Sequence, residues 1–240
     1  LKWDGVRCLL TSTAGATRLH SRAGNDMTER YPEISAGAFP DDVVLDGEIV
    51  ALDAQGRPSF ELLQSRMNVR HGSRTADRVR VSFVVFDLLH RGESLLSLPL
   101  EERQRQLAEL DLPASCVVAE RYHREARPIW EFVTEHDLEG IVAKRLGSTY
   151  QPGVRSPDWR KVSHFKQVRA VVGGFTTGTG GREGTFGSLL LGLWRDEELR
   201  WVGAVGSGFN DGALRAIRAA LDEMVVATCP FAPDPEIPDV

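Results

Sequence analysis

Apolar and polar positions alternate in two short runs near the start of the chain, GVRCLL (5–10) and ATRLHSR (16–22), separated by the small, polar TSTAG. The pattern predicts a strand pair. VVLDGEIVALD (43–53) and VRVSFVVFDLL (79–89) are rich in β-branched residues and phenylalanine, and predict buried strands. LPLEERQRQLAEL (98–110) has proline near its start and helix formers throughout, so a helix is expected. PIWEFVTEHDLEG (128–140) sets Ile129, Phe132, Val133 and Leu138 near helical spacing and runs to Gly140, the expected C′ position.

The character changes near residue 168. VRAVVGGFTTGTGGREGTFGSLLLGLW predicts strand, glycine-rich turn, strand, and LRWVGAVGSGF predicts another strand. NDGALRAIRAALDEM predicts a helix capped by Asn210 or Asp211, with Leu214, Ile217 and Leu221 on one face. Strands at this spacing with one inserted helix suit a small β-barrel such as an OB-fold. The expected domains are 1–167 and 168–240.

Composition narrows the class. The chain has 240 residues, 42% hydrophobic and 26% charged, which suits one large domain or two smaller ones. No apolar run reaches the roughly 18 residues of a membrane span, and no signal peptide is visible. Three scattered cysteines, Cys8, Cys116 and Cys229, argue against a disulfide framework or zinc site and suit a reducing cytoplasm. The net charge of −5 argues against nucleic acid only as a total, because a local basic face is what DNA meets.

Lysine usage changes the picture further. Of 29 basic residues only Lys2, Lys144, Lys161 and Lys166 are lysine. Arginine stays protonated, whereas a lysine with a lowered pKa can attack an electrophile. The four lysines therefore mark positions where arginine cannot serve. All fall in polar clusters: LKWDGVR, LEGIVAKR (138–145) and DWRKVSHFK (158–166). Two further clusters, LHSRAGND (19–26) and LDGEIV (45–50), hold Arg22 and Glu48. Each alone has an ordinary reading: a chance KxDG, a turn, a solvated glutamate, an exposed strand. Their order and spacing together are far more specific. The histidines His20, His71, His90, His123, His136 and His164 show no ligand spacing and read as surface or loop residues.

These motifs resemble those of the covalent nucleotidyltransferase superfamily: ATP-dependent DNA ligases, RNA ligases and mRNA capping enzymes. KWDGVR is similar to the nucleophile motif, SRAGND to the second and LDGEIV to the third. SFVVFDLL is similar to the strand that follows, LEGIVAKR to the fourth motif and WRKVSHFK to the fifth. YQPGVRSPDWRKV and LRWVGAVGSGF are most similar to the ligase modules of bacterial non-homologous end-joining enzymes. The resemblance implies an α+β fold: an ATP-grasp-like nucleotidyltransferase domain with antiparallel sheets around the nucleotide, then a partial OB-fold. It implies ATP-dependent joining of 5′-phosphate and 3′-hydroxyl ends of nicked or broken duplex DNA, in a bacterial, nucleoid-associated setting. End-bridging repair proteins or fused polymerase and nuclease domains are the implied partners.

By the same resemblance Lys2 is the nucleophile, and Arg7 and Arg22 contact ribose, phosphate or the DNA 5′-phosphate. Glu48 binds ribose hydroxyls or a metal, and Phe86 stacks on adenine, although a core strand aromatic reads the same way. Glu139 coordinates Mg²⁺ or Mn²⁺, and Lys161 touches the α-phosphate. Lysine attack on the α-phosphate of ATP needs a neutral amine, so nearby cations or burial must lower its pKa. Oxygen ligands suit the hard cation.

Two departures accompany the match. Ser163 stands where the fifth motif carries a second lysine, and Lys166, three residues on, is the candidate to reach back to the nucleotide in its place. Sequence before Lys2 and the sixth motif are also absent, so poor self-adenylylation is expected of these 240 residues. Arg66, Arg70, His71, Arg74, Arg78 and Arg80 form one basic stretch, for which DNA binding and an ordinary solvated face stand even. Arg155, Arg160, Lys161, Lys166 and Arg169 form another, which favours nucleic acid or nucleotide. Two alternatives stand beside ligation. One is an RNA ligase or GTP-using capping enzyme. The other is a catalytically silent nucleic-acid-binding module.

Overall fold

The computed structural model describes residues 1–39, 42–67, 79–123, 126–165 and 167–232. The chain divides into two compact units, Leu1–Phe165 and Lys166–Val240. No described helix is long and apolar enough to cross a membrane.

The first unit is built on β1 (Val6–Thr13), β2 (Ala16–Ser21), β3 (Val43–Ala51), β4 (Val81–Arg91), β5 (Glu93–Ser94) and β6 (Cys116–Val118). They form one sheet in the order β2-β1-β3-β4-β5, with β6 also on β4. Ala14 and Gly15, at φ 51° and 77°, make the tight turn between β1 and β2 that the small TSTAG run anticipates. The pairing is antiparallel except for β4 with β6, which is parallel. The antiparallel sheet expected from the sequence is present, and the short β6 joins it in parallel because the chain crosses over through a helix before it returns.

β3 and β4 are central and read as near-continuous apolar runs because both faces are covered. Leu10, Leu19, Leu45, Ile49, Phe83 and Leu88 join Ile34 and Leu63 in the core. Ile34 comes from α1 (Pro32–Ser35) and Leu63 from α2 (Phe60–Met67). Gly47 lets β3 approach β4 closely, since a Cβ there would lie 2.5 Å from the Val84 carbonyl oxygen.

α3 (Leu100–Leu107) lies within the expected 98–110 span. Its Arg103 is fully buried against Asp87 of β4, with donor–acceptor distances of 2.8 and 2.9 Å. Arg103 also donates to the carbonyls of Leu98 and Ser148. The buried charge pair is thereby saturated with hydrogen bonds, which burying two ions requires.

α4 (Ala126–Glu135) ends earlier than expected. The left-handed residue after it is Asp137, at φ 56°, and not Gly140. Gly140 instead opens β7 (Gly140–Lys144), which pairs antiparallel with β8 (Trp159–Ser163). A Cβ on Gly140 would lie 2.2 Å from the Val162 carbonyl oxygen, so the glycine serves the strand contact. His20 and His90 sit half-buried in strands, β2 and β4, and not in loops; His71 lies outside the described residues.

The second unit is a three-stranded antiparallel sheet of β9 (Val171–Thr177), β10 (Phe186–Arg195) and β11 (Glu198–Val205), followed by α5 (Asp211–Asp222). Asn210 caps α5 by accepting a hydrogen bond from the Ala213 N–H. Leu214, Ile217 and Leu221 pack with Phe186 and Leu189, on the helix face that the spacing marks.

Candidate active site

β1 and β3 place Arg7 directly across from Glu48, with Asp46 on the same face of β3. Asp46 is buried and holds the Arg7 guanidinium with two hydrogen bonds, of 3.0 and 2.6 Å. The Tyr150 hydroxyl donates to the same carboxylate at 2.8 Å and accepts from Arg7 at 3.2 Å. Arg7 is thus locked before any ligand arrives.

Phe86 leaves the core face that Phe83 and Leu88 occupy and turns toward a cavity of about 480 Å³. Lys2, Arg7, Glu48, Phe86 and Lys161 all line that cavity. The volume suits a small organic ligand such as a nucleotide. Phe86 meets the Trp159 ring edge-on at 6.0 Å. The Lys144 ammonium lies 4.3 Å from the Phe86 centroid and 3.7 Å from that of Trp159. It also donates weakly to the Phe86 carbonyl at 3.5 Å. Burial lowers the Lys144 pKa to about 8, against the pull of Asp87 and Asp46. Burial acts in the opposite direction on Glu48 and raises it to about 7.

Lys2 is fixed at both ends. Its backbone N–H donates to the Gly140 carbonyl at 2.8 Å, and its ammonium is ion-paired with Glu139. Burial first, and then the charge of Lys161, lower the Lys2 pKa, while Asp4 and Glu48 oppose. Lys161 stands opposite Val142 in the β7–β8 hairpin, so one hairpin supplies Glu139, Lys144 and Lys161. Glu139 lines a second cavity of about 460 Å³, which shares Leu1, Lys2 and Trp3 with the first.

Among the described residues no group of three or more His, Cys, Asp or Glu side chains is arranged to hold a metal ion. One oxygen of Glu139 is nonetheless buried without a hydrogen-bond partner. That fits a hard cation held by this carboxylate and by oxygens that a nucleotide brings.

Other expected residues lie elsewhere. Arg22 is exposed in the turn after β2, where Gly24 donates to Ser21, and it lines neither cavity. Lys166 lies outside the described residues, as do Arg70, Arg74 and Arg78. Arg66 is buried against Glu33 and the Tyr31 ring, which removes it from the expected basic face, whereas Arg80 is exposed. Arg155, Arg160 and Lys161 are exposed on the first unit and Arg169 on the second. Sequence reasoning passed over Asp46, Tyr150, Trp159 and the burial of Lys144. Only the scarcity of lysine pointed to the last.

Two family models match the chain. The ATP dependent DNA ligase domain covers residues 1–163 and the ATP dependent DNA ligase C terminal region covers 182–239. The chain belongs to the ATP-dependent DNA ligase family. This ligase chain is 38% identical over 234 residues to the multifunctional non-homologous end joining DNA repair protein LigD of Mycobacterium tuberculosis. The match spans 96% of the chain and 30% of that relative. The LigD of Pseudomonas aeruginosa is 36% identical, over 98% of the chain and 28% of the relative. Among solved structures, mycobacterial DNA ligase D complexed with ATP and MES matches with a TM-score of 0.61 and 33% identity, covering 99% of this chain and 74% of that one. The ligase domain of M. tuberculosis LigD matches with a TM-score of 0.57 and 33% identity, covering 99% and 75%. These matches agree with the expected fold class, a nucleotidyltransferase domain followed by an OB-fold region.

Proposed function

We propose that this chain joins 5′-phosphate and 3′-hydroxyl ends of nicked or broken duplex DNA, using ATP and a lysyl-AMP intermediate on Lys2. The carrying observation is the placement of Lys2. Its amine is depressed by burial and Lys161, and it lines one cavity with Arg7, Glu48 and Phe86. The end-joining names of the relatives support a role in double-strand break repair in a bacterial cell.

In the first step the Lys2 amine attacks the α-phosphorus, a P–N bond forms, and pyrophosphate leaves with the electron pair of the broken P–O bond. The Glu139 contact favours the ammonium, so this carboxylate must release Lys2 or take up its proton as the amine attacks. In this reading Lys161 meets the α-phosphate charge and Phe86 stacks on the adenine, which their shared cavity supports. Glu48 binds the ribose in the same reading. A divalent cation at Glu139 would polarise the phosphoryl oxygens. The AMP then passes to the DNA 5′-phosphate, and the 3′-hydroxyl displaces it. Both later steps are phosphoryl transfers in which positioning dominates.

Radiolabelled ATP and GTP offered separately test the reading. Labelling of Lys2 by ATP and not by GTP is expected. GTP labelling would favour the capping chemistry, and ligation of nicked RNA in preference to nicked DNA would favour an RNA ligase.

A further inference from the structure

Four buried side-chain polar atoms lack a hydrogen-bond partner among the described residues, and two of them flank Lys2: the Trp3 indole nitrogen and one Glu139 oxygen. Folded proteins leave few such atoms, and each asks for an explanation. The Glu139 oxygen has one in the cation already considered. Trp3 does not. An indole N–H can only donate, so its missing partner is an acceptor. Trp3 follows Lys2 in the chain and lines both cavities that Lys2 lines. The KxDG pattern leaves position 3 open, so the motif itself does not account for a tryptophan there.

We propose that the Trp3 indole N–H is a phosphate-binding donor that helps hold the reacting phosphate against Lys2. This rests on the ligase reading. The acceptor is a phosphate oxygen, which two sources can deliver: the nucleotide and the 5′-phosphate of the DNA end. The physical basis is that an anionic acceptor satisfies a buried donor more strongly than a neutral one. In the protein alone the same donor is desolvated without return, so the ligand collects an interaction that the fold leaves unmade.

Nitrogen-15 NMR of the indole groups tests this directly. The chain has five tryptophans, so at most five indole signals need assignment, and Trp3→Phe identifies the relevant one. One arm adds an ATP analogue with a methylene bridge between the α- and β-phosphates, which binds without transferring AMP. The other adds nicked duplex bearing either a 5′-phosphate or a 5′-hydroxyl. A downfield shift of the Trp3 indole proton with the analogue assigns the contact to the nucleotide. A shift with the 5′-phosphorylated nick alone assigns it to the DNA end. Trp3→Phe, which keeps a ring in the wall, is expected to weaken the shifting ligand about tenfold. Saturation by both ligands with the Trp3 signal unmoved would overturn the inference and leave the ligase reading standing. Failure of both ligands to bind would overturn the two together.

Discussion

Two half-buried groups that line the same cavity, Lys144 and Glu48, are shifted in opposite directions by desolvation. Lys144 has its pKa lowered from 10.5 to about 8 by burial. Between those values the folded chain has released a proton that the unfolded chain still holds, so stability rises with pH across that window. Urea unfolding at pH 7.5 and 9.5 should show a gain of about 1–2 kcal/mol. Lys144→Met should abolish most of that difference. Glu48 is raised from 4.5 to about 7. Here the folded chain keeps a proton that the unfolded chain has lost, so stability falls as pH rises from 4.5 through 7. Glu48→Gln stays neutral and should be more stable than the natural chain at pH 8 by about 1–2 kcal/mol, read as a higher melting temperature, while binding ATP more weakly. A Glu48→Gln protein that melts lower at pH 8 would show that the carboxylate is satisfied in place.

The β7–β8 hairpin is the element on which the site depends, because it positions Glu139, Lys144 and Lys161 together. Gly140 is its tightest point, at φ 139° and with no room for a Cβ. Gly140→Ala should lower stability by about 2–4 kcal/mol and reduce adenylylation with it. At Gly147, just past β7, a Cβ would meet nothing within 4 Å, so Gly147→Ala should be close to neutral. Equal losses from both substitutions would contradict the packing account. The same hairpin shows what sequence could convey. Its polar ends were legible because lysine is scarce in this chain and stands out. Gly140 was misread as a helix terminus because glycine permits both a left-handed cap and a close strand contact, and only the partner strand decides between them. Asp46, Tyr150 and Trp159 went unseen for a related reason: Tyr150 and Trp159 come from a loop and β8, and they meet Asp46 and Arg7 respectively across more than a hundred residues.

At the scale of the molecule, the first unit owns the larger core and both buried cysteines, while Cys229 is exposed on the second. Burial also raises the Cys8 thiol to about 12 and the Cys116 thiol to about 11. A thiol reagent at pH 8 should therefore modify one cysteine rapidly and the other two only as the first unit unfolds. Three fast reactions would contradict the core described here. The fold class was legible from strand and helix patterns and from the motif order. The parallel β4–β6 pairing was not, since a three-residue strand carries too little pattern to announce its direction. Intact-mass spectrometry after incubation with ATP and magnesium reads whether Lys2 becomes covalently adenylylated. A folded chain, cleared of prior AMP with pyrophosphate, should gain the mass of one AMP on part of the population, and Lys2→Ala should gain none. No adduct on the natural chain, or an adduct that survives in Lys2→Ala, would contradict the account.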